Sequence, residues 1–142
     1  MEGLVEADFH VVAQVGTATG LLAPAAASER AAEDRFENIA DVAELGAVKE
    51  VFGEGTTPAV GSTKSLTGHA LGAAGSNESI YSLLMMDGGF LAQSPNIVEL
   101  DEASAGVDIL TEARELDFHT ALSNSFGFGG TNASLIFSKA LL

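Results

Sequence analysis

His69 is the side chain best suited to chemistry in this sequence, because it follows Gly68 and precedes a long apolar segment. A histidine at the start of a helix tends to stay neutral, since the positive end of the helix dipole disfavours the imidazolium form. The neutral ring can donate a hydrogen bond to a carbonyl oxygen or accept a proton. The alternative interpretation is a histidine that caps the helix and packs in the core.

Lys64 and Glu78 form the second candidate constellation. Lys64 lies five residues before His69, and Glu78 lies nine residues after it on an otherwise apolar predicted helix. A carboxylate in such a helix has to be paired or reach a polar cavity, because an isolated buried charge is costly. The sequence therefore predicts a Lys64–Glu78 ion pair beside His69, with a purely structural buried pair as the alternative.

A glycine-rich run at residues 126–130 is the third candidate. It reads Phe-Gly-Phe-Gly-Gly, and its central residues are Gly127, Phe128, Gly129 and Gly130. Closely spaced glycines allow successive backbone N–H groups to point the same way, which suits an anion or a developing oxyanion. The run fits neither dinucleotide-binding nor phosphate-loop spacing. A tight hairpin between two strands is the alternative.

The composition excludes several classes of function. The chain of 142 residues has 6 Lys and Arg against 20 Asp and Glu, a net charge of −14, which argues against nucleic acid or an anionic membrane as a partner. It has no cysteine, hence no disulfide, no thiolate zinc site and no cysteine nucleophile. His10 and His119 lack partners at metal-ligand spacing, so we expect no metal. Without a membrane-length apolar run or a signal peptide, we expect a cytoplasmic protein.

The elements that must position these residues suggest an α/β layered domain. We expect helices near residues 41–52 and 71–87, a short strand at 58–61, and strands near 9–15, 119–124 and 132–139. Asp41 and Glu44 have the spacing of a capping box for the first helix.

Burial can also be anticipated from the pattern. The second helix is so apolar that we expect it to be buried all round, with Met85 and Met86 in the core. The strand at 132–139 has apolar residues on both faces, which is typical of the centre of a covered sheet. Residues 99–118 are acidic and indicate a solvated loop. Residues 21–38 fit either a solvated helix starting at Ser28 or a poorly ordered linker.

Two longer motifs resemble a known family. Residues 62–75 read Ser-Thr-Lys-Ser-Leu-Thr-Gly-His-Ala-Leu-Gly-Ala-Ala-Gly, and residues 123–132 read Ser-Asn-Ser-Phe-Gly-Phe-Gly-Gly-Thr-Asn. Together they resemble the C-terminal half of the β-ketoacyl-acyl carrier protein synthases, closest to the type I bacterial condensing enzymes. The resemblance runs from about Asp41 to Lys139 and includes the predicted helix at 41–52.

The resemblance implies a thiolase-like fold, in which two similar halves form an α-β-α-β-α core, and a decarboxylative Claisen condensation. It implies that His69 is the second catalytic histidine, which supports decarboxylation and the enolate. Lys64 would be the active-site lysine, with Glu78 as its carboxylate partner. Phe128 would be the gating phenylalanine whose N–H helps to form the oxyanion hole. The implied partner is acyl carrier protein, and no cofactor is implied.

Two departures from the family pattern matter. The family's nucleophilic cysteine lies in an N-terminal half that this sequence lacks, and Glu-Asn-Ile-Ala at residues 37–40 replaces the loop that carries a first catalytic histidine. We therefore expect a weakly matched strand and turn at 1–20, a divergent linker at 21–40 and a C-terminal ketosynthase domain at 41–142.

Three functional hypotheses stay open for such a fragment. It can be half of an acyltransferase of fatty-acid elongation, completed by a separate N-terminal half or working as a homodimer. It can be a non-catalytic remnant or a dimerisation module. The third hypothesis is a domain that binds a small anionic ligand on the glycine run. Acyl carrier proteins are acidic, so a chain of net charge −14 should repel them unless basic residues lie elsewhere.

Overall fold

The structure, a computed structural model, describes residues 11–14, 31–127 and 131–140. His10, Phe128, Gly129 and Gly130, which the sequence analysis singled out, lie outside these ranges. In chain order the elements are β1 (Val11–Gln14), α1 (Ala31–Phe52), β2 (Ala59–Gly61), α2 (Lys64–Thr67), α3 (Ala74–Gly88), β3 (Phe90–Leu91), β4 (Asp108–Ile109), β5 (Arg114–Glu115), β6 (Thr120–Gly127) and β7 (Thr131–Ser138). Short 3₁₀ turns cover Leu71–Ala73 and Glu102–Ser104.

Five of the strands form one sheet in the order β4-β2-β1-β6-β7. The first four are mutually parallel, and β7 runs antiparallel to β6. In the centre of the sheet Ala13 of β1 is in register with Val60 of β2 on one side and with Leu122 of β6 on the other. Strands β3 and β5 form a separate antiparallel pair.

Helices α1 and α3 cover opposite faces of the sheet. Leu45 and Val48 of α1 pack with Val60, whereas Met85 and Met86 of α3 pack in a second cluster with Ala59. Because neighbouring residues of a strand point to opposite faces, the adjacent Ala59 and Val60 place the two helices on either side of β2. The predicted α/β layering and the core position of the two methionines are therefore confirmed.

The first helix starts ten residues earlier than predicted. It begins at Ala31 and ends at Phe52, because half of residues 31–40 are alanine or glutamate, which favour helix. Over residues 31–38 this agrees with the helix interpretation of the segment 21–38 rather than the linker, and the predicted start at Ser28 lies outside the described residues. Asp41 and Glu44 consequently lie inside the helix, so the predicted capping box is wrong. The boundaries at residues 20 and 40 stay a prediction.

The second helix is not buried all round, contrary to the prediction. Glu78, Ser82, Met85 and Met86 are the buried residues of α3. Its opposite face carries Ile80, Leu83 and Leu84, whose exposed fractions are 53%, 46% and 58%. The reason is that α3 has one sheet face to pack against within the described residues, so the apolar side chains on its opposite face stay in contact with water.

Strand β7 lies at the edge of the sheet rather than at its centre, which also contradicts the prediction. It pairs with β6 along its whole length, and the other edge of β7 has no neighbouring strand among the described residues. Leu135 and Ile136 point to opposite faces and are 49% and 71% exposed. The apolar pattern was correct, but a strand's sequence does not reveal how many neighbours it has.

The acidic segment 99–118 is only partly the solvated loop that was predicted. Its acidic side chains are exposed, but Ile109, Leu110 and Phe118 are buried, and β4 completes one edge of the sheet. No helix within the described ranges has both the length and the apolar character needed to cross a bilayer.

Candidate active site

The two motifs meet at one edge of the sheet. We call residues 62–75 the histidine segment and residues 123–132 the glycine segment. The histidine segment follows the carboxyl end of β2, and the glycine segment contains the carboxyl end of β6. These strands are parallel to β1, which lies between them, so their carboxyl ends are separated by two strand spacings, about 10 Å. This edge of an open α/β sheet is where ligand sites form.

A short helix carries the chain from β2 to His69. Helix α2 is closed by Gly68, whose N–H donates to the carbonyl oxygen of Lys64 at 2.7 Å. Gly68 has a φ of +76°, a conformation that glycine adopts without a steric penalty. The glycine therefore reverses the chain directly before the histidine.

The ring of His69 is exposed, and its orientation is fixed by a backbone hydrogen bond. Nδ1 accepts the N–H of Leu71 at 2.9 Å. An acceptor nitrogen carries no proton, so the neutral ring bears its proton on Nε2. Leu71 adopts a φ of +51°, which is strained for leucine. The ring thus caps a backbone group, as the alternative interpretation held, but it does so at the surface and keeps Nε2–H available as a donor.

Lys64 and Glu78 form the predicted ion pair, with Nζ of the lysine donating to Oε1 of the glutamate. Both side chains are 3% exposed. The second carboxylate oxygen, Oε2, is buried and has no hydrogen-bond partner within the described part of the chain. A charge pair this deeply buried depends on both members, since either charge alone would be uncompensated.

The first turn of α3 lies against the end of β6. A Cβ atom added at Gly75 would lie 3.0 Å from Oγ of Ser125. In the same turn Oγ of Ser79 donates to the carbonyl oxygen of Gly75 at 2.7 Å. Ser125 is two residues before Gly127, so this close approach connects the histidine segment directly to the glycine segment.

A side-chain network that the sequence analysis missed holds β6 from the other face. Nδ2 of Asn124 donates to Oε1 of Glu44 at 2.9 Å, and Oγ of Ser134 donates to Oδ1 of Asn124 at 2.8 Å. Glu44 is 5% exposed. Asparagine is disfavoured inside strands, so its occurrence in β6 was the available signal.

The glycine segment is described only at its two ends. Strands β6 and β7 remain paired up to Gly127 and Thr131, so three residues connect them, as the hairpin alternative requires. Convergence of the Phe128 N–H with His69 and Lys64 stays a prediction. Over the described ranges, no group of three or more histidine, aspartate or glutamate side chains could hold a metal ion.

A comparison with known protein families matches the part of the chain that contains the histidine segment. Residues 37–98, which contain Lys64, His69 and Glu78, match a family model described as "Beta-ketoacyl synthase, C-terminal domain". The chain is 56% identical over 101 residues to 3-oxoacyl-[acyl-carrier-protein] synthase 1 of Escherichia coli (strain K12), covering 71% of this chain and 25% of that protein.

Solved structures that resemble this chain are also ketosynthases. A β-ketoacyl synthase from Burkholderia phymatum superposes with a TM-score of 0.71 at 35% identity, over 92% of this chain and 28% of that one. A type II PKS acyl-carrier protein in complex with its ketosynthase matches with a TM-score of 0.63 at 29% identity, over 68% of this chain and 24% of that one. The chain thus spans about a quarter of the length of the relatives it matches.

Proposed function

Because this chain belongs to the β-ketoacyl synthases through their C-terminal domain, we propose that it supplies the C-terminal half of a condensing site. Its fold is the predicted thiolase-like α/β fold. The reaction is the decarboxylative condensation of an acyl thioester with malonyl-acyl carrier protein in fatty-acid elongation. The observations that support the proposal are the buried Lys64–Glu78 pair and, five residues after Lys64, an exposed His69 whose Nδ1 accepts a backbone N–H and leaves Nε2–H as the donor.

In this proposal His69 acts on the malonyl thioester. The bond between the methylene carbon and the carboxylate breaks, carbon dioxide leaves, and the electron pair forms an enolate. Nε2–H of His69 donates a hydrogen bond to the thioester carbonyl oxygen, where the negative charge develops. Lys64 adds a fixed positive charge near that oxygen, and Glu78 holds the lysine in place. Neither residue has to change its protonation state.

The second step is attack of the enolate carbon on an acyl thioester. Its carbonyl oxygen becomes an oxyanion, for which the N–H of Phe128 in the glycine segment is the proposed donor. Collapse of this intermediate expels a thiolate. The 142 residues contain no cysteine, so that thiolate must be supplied by other residues of a complete enzyme.

The partners follow from the same argument. Acyl carrier protein delivers both thioesters, and a structural neighbour of this chain is a ketosynthase bound to its acyl carrier protein. Since the chain is strongly acidic, basic residues outside it must make the electrostatic contact with that carrier. A complementing cysteine-bearing half, or a second copy, is the proposed structural partner, and the cytoplasm is the proposed compartment.

One observation favours a second candidate function. Among the described residues, the outer face of α3 and the side chains of Leu135 and Ile136 on β7 are apolar and exposed, which suits a non-catalytic dimerisation module as well as half of an enzyme. The two candidates predict different results when a cysteine-bearing half is supplied. Half of an enzyme should then support decarboxylation of malonyl thioester through His69, whereas a dimerisation module should not.

The test is a chimera in which residues 41–139 replace the matched segment of the Escherichia coli synthase. We expect it to release carbon dioxide from malonyl thioester. His69→Ala should lower that rate by about 10²- to 10⁴-fold, the usual contribution of a positioned hydrogen-bonding or proton-transfer group. His119→Ala, at a histidine outside both segments, is the matched control and should leave the rate near that of the parent. Equal rates for the chimera and its His69 variant would contradict the proposal and favour the dimerisation module.

A further inference from the structure

Gly72, in the 3₁₀ turn before α3, and Gly75, in the first turn of α3, differ in their surroundings. A Cβ atom added at Gly72 would have no heavy atom within 4 Å, whereas one added at Gly75 would lie 3.0 Å from Oγ of Ser125 and 3.8 Å from its Cβ. Helix formation explains neither glycine, because alanine is favoured at both positions. Of these two positions, only Gly75 is packed so closely that a side chain would meet a neighbouring residue.

The contact joins the two segments of the proposed site. Gly75 is six residues after His69 and lies on the rigid helix that also carries Glu78. Ser125 is on β6, two residues before Gly127. Any group that separated Gly75 from Ser125 would therefore move the histidine segment away from the strand end that leads into the glycine segment.

We propose that Gly75 is a positioning residue: the absence of its side chain sets the distance between the histidine segment and the glycine segment. The inference rests on the proposed function for its chemical meaning, since both segments belong to that site. The contact between Gly75 and Ser125 lies within this chain and can be tested without any substrate. A contact of 3.0 Å is shorter than ordinary packing of a Cβ atom, so an added methyl group requires the Ser125 side chain, or the strand that carries it, to move by a few tenths of an ångström. Displacements approaching 1 Å can cost about 100-fold in rate.

Four variants of the full chain test this: Gly75→Ala, Gly72→Ala, Ser125→Ala, and the Gly75→Ala/Ser125→Ala double variant. The nuclear magnetic resonance signals of the His69 imidazole and the Gly127 amide report on the two segments without any substrate. Gly75→Ala should shift both sets of signals. The double variant should return both towards their positions in Ser125→Ala, because the nearest remaining atom would be a Cβ at an ordinary 3.8 Å.

Gly72→Ala is the matched control, since it adds the same methyl group in open space. It should perturb its immediate neighbours and leave the Gly127 amide unchanged. Urea unfolding should show coupling between the Gly75 and Ser125 substitutions of at least about twofold in the unfolding equilibrium constant. If Gly75→Ala does not fold, recovery of folding in the double variant supports the proposal in the same way.

The inference is overturned if Gly75→Ala shifts signals near His69 and leaves the Gly127 amide in place. It is also overturned if Ser125→Ala restores neither the signals nor folding. These outcomes are distinct from failure of the proposed function, which would be seen as absence of carbon dioxide release from the chimera while the coupling between Gly75 and Ser125 persists.

Discussion

Lys64→Met should be among the most destabilising single substitutions in this chain. It removes the partner of Glu78 and leaves a carboxylate whose side chain is 3% exposed. Breaking a buried ion pair from one side costs about 3–5 kcal/mol, because the remaining charge stays in a low-dielectric interior. Single domains are stable by roughly 5–15 kcal/mol, so the loss is a large share of the total.

The double variant Lys64→Met/Glu78→Leu should recover most of this loss. Replacing both members of a buried pair by apolar residues of similar volume is often neutral, or stabilising by about 1–4 kcal/mol. The double variant should therefore be more stable than the single variant, although it carries one more substitution. This non-additivity identifies the buried charge, rather than lost packing, as the cause.

The assay is equilibrium unfolding in urea, monitored by circular dichroism. With a typical slope of about 1–3 kcal/mol per molar urea, the loss of about 3–5 kcal/mol should shift the midpoint down by roughly 1–5 M. Arg114→Met is the control, since it breaks a salt bridge whose side chains are 44% and 43% exposed. Exposed pairs contribute about 0–1 kcal/mol. If Lys64→Met costs no more than Arg114→Met, or the double variant is less stable than the single one, the reasoning is wrong.

Three further predictions concern pH, chemistry and burial. The hydrogen bonds from Arg114 lower the pKa of Asp108 below its ordinary value, so the stability that this pair adds should be present above about pH 4–5 and lost as the pH falls through the lowered pKa. The measurement is the pH dependence of the difference in unfolding free energy between the parent and Arg114→Met; a difference that grows towards low pH would contradict it. The 142-residue polypeptide mixed with acyl-acyl carrier protein should form no acyl-enzyme, because it has no thiol, and an intact mass increased by one acyl group would refute this. Met85→Ala should cost about 2–5 kcal/mol, whereas Leu83→Gln, on the exposed face of the same helix, should cost about 0.5 kcal/mol or less. Equal costs in urea unfolding would show that this face is covered in solution.

The features that could be predicted from the sequence are those that depend on residues close by in the chain. The helix ending at Phe52 was predictable because Gly53 follows it, and the structure places Gly53 at a φ of +85°. The Lys64–Glu78 pair was predictable because a carboxylate on an apolar helix needs a partner. Both arguments use chemistry within a few turns of the residue concerned.

The failures share a different cause, which is that they depend on what lies opposite a residue in space. Glu44 has the spacing of a capping residue, but its hydrogen-bond partner, Asn124, is 80 residues away in sequence. The apolar residues of α3 were recognised, but their number does not reveal that the polar Glu78 and Ser82 face the sheet. Hydrophobic periodicity identifies an element and its apolar face, while the burial of that face depends on the other layers of the fold.

The position of β1 in the sheet has a consequence for how the chain folds. Among the described strands β1 is the central one of the sheet, and both of its partners lie far along the chain: Val11 pairs with Thr120, 109 residues later, and Ala13 pairs with Val60, 47 residues later. During synthesis β1 therefore precedes both of the strands that it pairs with, and the described sheet cannot close until β6 has been made. Such distant parallel pairings give a high contact order, and folding is slow because the long intervening loops must close before the pairing is gained. Until then the backbone groups of β1 are not paired with β2 or β6, and unpaired strands of this kind make a partly folded chain prone to aggregation.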